Sequence, residues 1–138
     1  MVMVKSSALL ANSVLMIMIS PVFAFLSDFI IVTLAKHPPV PLIGNVLLLF
    51  GFFIVPLIYG IVCIIAGILG IVFRKKPEKA KSCVAMGFIA ILCNAGHLAI
   101  FALGGIFASA LLYFLLNSII PTCYIIAAYK YSKNICIK

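Results

Sequence analysis

The chain has 138 residues and a formal charge of +8; 67% of it is hydrophobic and only 9% is charged. Soluble domains carry about a quarter charged residues, so this surface cannot be solvated as a globule and a water-soluble domain is excluded. The basic residues stand at the ends of apolar runs, which fits lipid headgroups and membrane orientation, and no basic face interleaved with aromatics points to nucleic acid.

Met1 to Ser7 is a short head with one charge, Lys5, and Ala8 to Ala35 is a long apolar run with scattered polar residues. Two readings fit it. Val22-Phe23-Ala24 has the small-x-small form of a signal-peptide cleavage site. Alternatively the run is one retained span bent at Pro21. After Ala24 only about ten apolar residues remain, too few to cross a bilayer, which favours the retained span over 8–35. Lys36-His37-Pro38-Pro39-Val40-Pro41 is a connection, because proline cannot continue a helix and pushes its predecessor toward extended backbone.

A second span is expected over 43–73, tolerating Pro56 as membrane helices do. Gly60, Cys63, Gly67 and Gly70 fall within an arc of roughly 80° on it, a stripe that lets another backbone come close. The basic loop 74–81 follows, with Arg74, Lys75, Lys76, Lys79 and Lys81 as topology determinants. The apolar stretch Cys83 to Tyr129 accommodates a third span over 82–103 and a fourth over 107–129, with Gly104-Gly105 as the turn. The tail 130–138 is polar and basic. The expected architecture is all-α: a single domain forming an antiparallel four-helix transmembrane bundle.

Lys5, the five cations of the loop, and Lys130, Lys133 and Lys138 fall on one side of such a bundle; only Lys36 falls on the other. The positive-inside rule puts the loop and both termini in the cytoplasm of a plasma-membrane protein. Tyr124, Tyr129 and Tyr131 are expected at the inner interface, where amphipathic rings are favoured.

On the third span Cys83, Gly87, Ala90, Asn94, His97, Phe101 and Gly104 share one face at 4-3-4-3-4-3 spacing, with Gly87 and Ala90 as packing positions. Ser13, Ser20, Ala24 and Ser27, with Asp28 at the edge, form a similar face on the first. On the fourth the face is Ala110, Phe114, Asn117, Pro121, Tyr124 and Ala128. Matching depths predict one polar cluster: Asp28 with His97, supported by Asn94, Asn117 and Tyr113. An ionisable residue inside a membrane is a functional hypothesis in itself, here a proton- or cation-coupled site. The competing reading is interhelical glue, at about 1 kcal/mol per hydrogen bond.

Cys63, Cys83, Cys93, Cys123 and Cys136 form no CxxC and no Cys/His metal spacing. No catalytic constellation, phosphate-cradling glycine loop, haem-ligand pair or metal set is present, so neither enzyme activity nor a cofactor is expected.

The run Ile65-Ala66-Gly67-Ile68-Leu69-Gly70-Ile71-Val72-Phe73-Arg74-Lys75-Lys76, together with Ile119-Ile120-Pro121-Thr122-Cys123-Tyr124-Ile125-Ile126-Ala127-Ala128-Tyr129-Lys130, resembles the uncharacterised small four-span membrane proteins common in Gram-positive bacteria. The resemblance covers about half the chain and implies a bacterial plasma-membrane protein with no catalytic residues to carry over. The expected role is a non-enzymatic accessory or immunity-type protein packing on a membrane protein or peptide partner. The alternative is a small oligomeric transporter or pore using Asp28 and His97.

Overall fold

The computed structural model describes the backbone over 2–34, 42–103 and 107–133, and side chains over 6–26, 53–76, 78–102 and 110–133. Among the described residues the chain is entirely helical. Four long helices follow in order: α1 (Val2–Leu34), α2 (Leu42–Phe73), α3 (Ala80–Leu103) and α4 (Phe107–Ser132), with a single 3-10 turn at Pro77–Lys79 leading into α3. Each contains a stretch long and apolar enough to cross a membrane, the shortest of 21 residues. At 1.5 Å per residue that is about 30 Å, the thickness of a hydrocarbon core. Pro21, Pro56 and Pro121 lie inside α1, α2 and α4 without ending them.

The helices pack as one unit. α1 lies chiefly on α2 and α4, and α3 on the same two helices. Each turns one stripe inward. From α1 come Leu9, Ser13, Met16, Ser20 and Ala24; from α2, Pro56, Tyr59, Gly60, Cys63, Ala66, Gly67 and Gly70. α3 contributes Ala80, Cys83, Gly87, Ala90, Asn94, His97 and Phe101. α4 contributes Ala110, Tyr113, Asn117, Pro121, Tyr124, Ala128 and Tyr131. Spacings of three and four keep a residue on one side of a helix. The stripes are rich in Ala, Gly, Ser and Cys, so the helix axes approach closely and the few large interior side chains reach across to other helices.

Large apolar side chains cover the outside. Met18, Val22, Phe53, Leu92 and Leu112 are all more than 60% exposed. The Lys36–Pro41 connection, the Gly104-Gly105 turn and the tail from Asn134 lie outside the described residues.

Of the tyrosines expected at the inner interface, Tyr124 and Tyr131 are buried between helices, at 0% and 3% exposure, and Tyr129 is 55% exposed. The hydroxyls of the two buried rings find acceptors inside the protein. The glycine stripe of α2 packs against α1. A Cβ on Gly67 would lie 2.5 Å from Ile17 Cγ1 and 2.6 Å from the Ser13 backbone oxygen, and one on Gly60 would lie 3.4 Å from Pro21 Cβ. On Gly70 it would run into the Ser13 hydroxyl. The stripe is the seat of α1.

Candidate functional site: the polar interior

Three tyrosine hydroxyls join α2 to α4. Tyr59 on α2 donates to the Asn117 carbonyl at 3.1 Å. Tyr124 on α4 donates to the Ala66 carbonyl at 2.5 Å, and Tyr131 donates to the Arg74 carbonyl. The α4 members are seven residues apart and the α2 members seven and eight, so the rungs stand about 10 Å apart along the helices.

Two of these acceptors have an identifiable reason to need a donor. The carbonyl of Asn117 would normally bond the N–H of residue 121, but Pro121 has none. The Tyr59 hydroxyl replaces that missing donor. Arg74 follows the last residue of α2, where terminal carbonyls lack helical partners. Its oxygen accepts from Tyr131 and, at 3.3 Å, from the Ser6 hydroxyl of α1. Three helices are thus tied at one oxygen. The Ala66 carbonyl has no such vacancy, because Gly70 supplies the ordinary helical N–H; Tyr124 is an additional donor there.

Each rung has further polar neighbours. Cys63 and Ser20 stand beside the Tyr59 hydroxyl. Cys83 stands beside that of Tyr124, and Ser13 meets the same region across Gly70. Ser13 also returns a hydrogen bond to the Leu9 carbonyl at 2.7 Å. The serines of α1 at 6, 13 and 20 share the seven-residue interval of the rungs.

The residues of the predicted cluster are described in part. Asn94 is buried and its amide donates to the Phe114 carbonyl at 3.1 Å and the Ser118 hydroxyl at 3.0 Å, joining α3 to α4. Asn117 donates at 3.2 Å to the Tyr113 carbonyl on its own helix, while its Oδ1 is buried with no hydrogen-bond partner among the described residues. His97 is buried between two rings, 4.7 Å from the centroids of both Phe101 and Tyr113, the latter edge-on. His97 and Tyr113 therefore meet, and Asn94 and Asn117 serve separate bonds. The side chain of Asp28 lies outside the described residues, as does that of Ser27.

Of the packing residues, Gly60, Cys63, Gly67, Gly70, Gly87 and Ala90 are all buried. Gly87 lies against Ile125 and Tyr124. Of the basic loop, Lys75, Lys76, Lys79 and Lys81 are exposed and Arg74 is half-buried. Lys79 Nζ lies 5.4 Å from the Phe73 ring centroid. Among the described residues no group of three His, Cys, Asp or Glu could hold a metal ion.

The sequence reading missed Tyr59, the most informative residue of this interior. Two signals pointed to it. It lies one turn before Cys63 on the inward stripe, and Pro121 leaves a carbonyl in need of a donor.

No family model, curated protein or solved structure matches the chain.

Proposed function

We propose that the chain is an integral plasma-membrane protein, an antiparallel four-helix transmembrane bundle with both termini cytoplasmic. In this reading it is a non-enzymatic accessory or immunity-type protein that acts through helix contacts with a membrane partner. Kinship with the small four-span proteins of Gram-positive bacteria is part of the same proposal. Several observations support the topology. Gly60 meets Pro21 while Gly67 meets Ser13 and Ile17, so the α1 and α2 numbers run in opposite senses. The α2 and α4 rung numbers rise together. Large apolar side chains cover the outside of all four helices, where a lipid solvent favours them.

The observation that carries the role is the tyrosine ladder. The Tyr59, Tyr124 and Tyr131 hydroxyls and the Asn94 amide are engaged with carbonyls or a neighbouring hydroxyl, which gives them a structural part in this reading. What the protein offers another molecule is its outer surface. Gly96 on α3 is exposed with nothing within 4 Å of its Cβ position, so a partner helix could approach there.

Gentle-detergent extraction from native membranes followed by native mass spectrometry tests this reading. A stoichiometric foreign protein or peptide, lost on Gly96→Leu, supports it. A bare homo-oligomer instead favours the second reading, an oligomeric transporter or pore using Asp28 and His97. The buried Oδ1 of Asn117, without a hydrogen-bond partner among the described residues, is the observation on that side, since a polar ligand or ion would satisfy it. Proton and cation flux in liposomes, abolished by Asp28→Asn, would establish the second reading.

A further inference from the structure

The connection between α2 and α3 and the end of α4 form one basic surface. Arg74, Lys75, Lys76 and Lys79 come from the connection, Lys81 from the first turn of α3, Lys130 from the last turn of α4 and Lys133 from just past it. The Tyr131 hydroxyl bonds the Arg74 carbonyl, and the Pro77–Lys79 turn packs on both α3 and α4. The two groups of cations are thereby held at the same end of the molecule. Of these seven side chains six are exposed and Arg74 is half-buried. The one carboxylate described here is Glu78, which is exposed and lies near Tyr131.

The arrangement is electrostatically unbalanced. Among the described residues seven cations face one anion, and like charges gathered at one end of a molecule repel unless counter-charge arrives from outside. α3 begins within the patch, and the positive end of its dipole is flanked by Lys79 and Lys81 with no acid in its first turn. The patch also adjoins the ends of the apolar stretches: those of α2 and α4 finish at Phe73 and Ser132, and that of α3 starts at Ala80. Fixed charge at that level meets the phosphate layer of a bilayer.

We propose that this end of the molecule binds the phosphate headgroups of anionic membrane lipids, with the α2–α3 connection and the end of α4 acting as two sides of one surface. This rests on the reading of the chain as an integral membrane protein. Charge complementarity selects the occupant, and the position at the ends of the apolar stretches selects lipid over a soluble polyanion. The lysine stems lie along the apolar margin while their ammonium groups reach the headgroups.

The test uses the full chain in liposomes of phosphatidylcholine with increasing phosphatidylglycerol. Resistance to alkaline carbonate extraction reports insertion, and native mass spectrometry of the released protein reports which lipids stay bound. The wild type is expected to retain phosphatidylglycerol over phosphatidylcholine, and to lose that preference as salt rises. Lys130→Gln with Lys133→Gln is expected to weaken retention about fivefold per charge removed. Lys75→Gln with Lys76→Gln is expected to do the same, and the corresponding Lys→Arg pairs to retain it. Equal retention of both lipids by an inserted wild type overturns the lipid surface and leaves the membrane reading standing; failure to resist carbonate overturns the membrane reading itself. Displacement of phosphatidylglycerol by a short RNA or an acidic peptide, but not by inorganic phosphate at equal charge, would assign the patch to another polyanion and overturn the proposal.

Discussion

A proline inside a helix deletes one donor and strands one carbonyl, and in hydrocarbon no water is present to repair the loss. The Tyr59 hydroxyl repairs it at Asn117. Tyr59→Phe is therefore expected to destabilise the protein by about 1–3 kcal/mol, the cost of leaving a buried acceptor unmade. In a Pro121→Ala background the alanine N–H serves the same carbonyl, and the penalty should shrink to a fraction of that value. Reversible unfolding of the four variants of this double-mutant cycle in mixed micelles measures the coupling. Equal penalties in both backgrounds would show that the tyrosine acts by packing alone. The residue scale was also where the sequence was least legible. A tyrosine between apolar residues suits a membrane interface and an interior equally well, and only an acceptor within reach decides between them. Tyr124 and Tyr131 have such acceptors. Those carbonyls, in α2 and just past its end, are more than fifty residues away in the chain, which local periodicity cannot reveal.

The helices themselves were far more legible. Long apolar runs bounded by prolines, glycines and lysines set their number and approximate ends, and spacings of three and four set their inward faces. Asn94, His97 and Asn117 lie on such faces and are buried. Periodicity gives a face but not its neighbour, so the sequence alone does not pair the glycine stripe of α2 with α1. That assignment leads to a graded prediction. Gly67→Ala puts a methyl against the Ser13 backbone oxygen, which cannot rotate away, and overpacking of this kind costs about 1–3 kcal/mol. Gly60→Ala, at ordinary contact distance from Pro21, is expected to lie within about 0.5 kcal/mol of wild type. Gly96→Ala, with open space around it, should be neutral or slightly stabilising. Thermal unfolding in one detergent ranks all three, and a Gly60 variant worse than the Gly67 variant would contradict the described seating of α1.

For the whole molecule, the distribution of charge gives the clearest expectation. A cysteine-free background carrying a single reporter in place of Lys75 should react with a membrane-impermeant maleimide only after the cytoplasmic face is opened. A reporter at Lys36 should react in intact cells. The reverse pattern would invert the proposed orientation. Neutralising Lys75, Lys76, Lys79 and Lys81 together should produce a mixed population, because the basic connection supplies most of the orienting charge.

The rungs also bear on what happens when the chain is cut. All of them cross the Arg74–Lys81 connection: Tyr59 reaches forward from the first half, while Tyr124 and Tyr131 reach back from the second. A gene divided at that connection would encode two helical pairs, each holding donors and acceptors that the other lacks. Co-expressed, they are expected to reassemble into a protein that co-purifies as one, whereas either piece made alone would carry a stranded carbonyl or an idle hydroxyl and be cleared by membrane proteases.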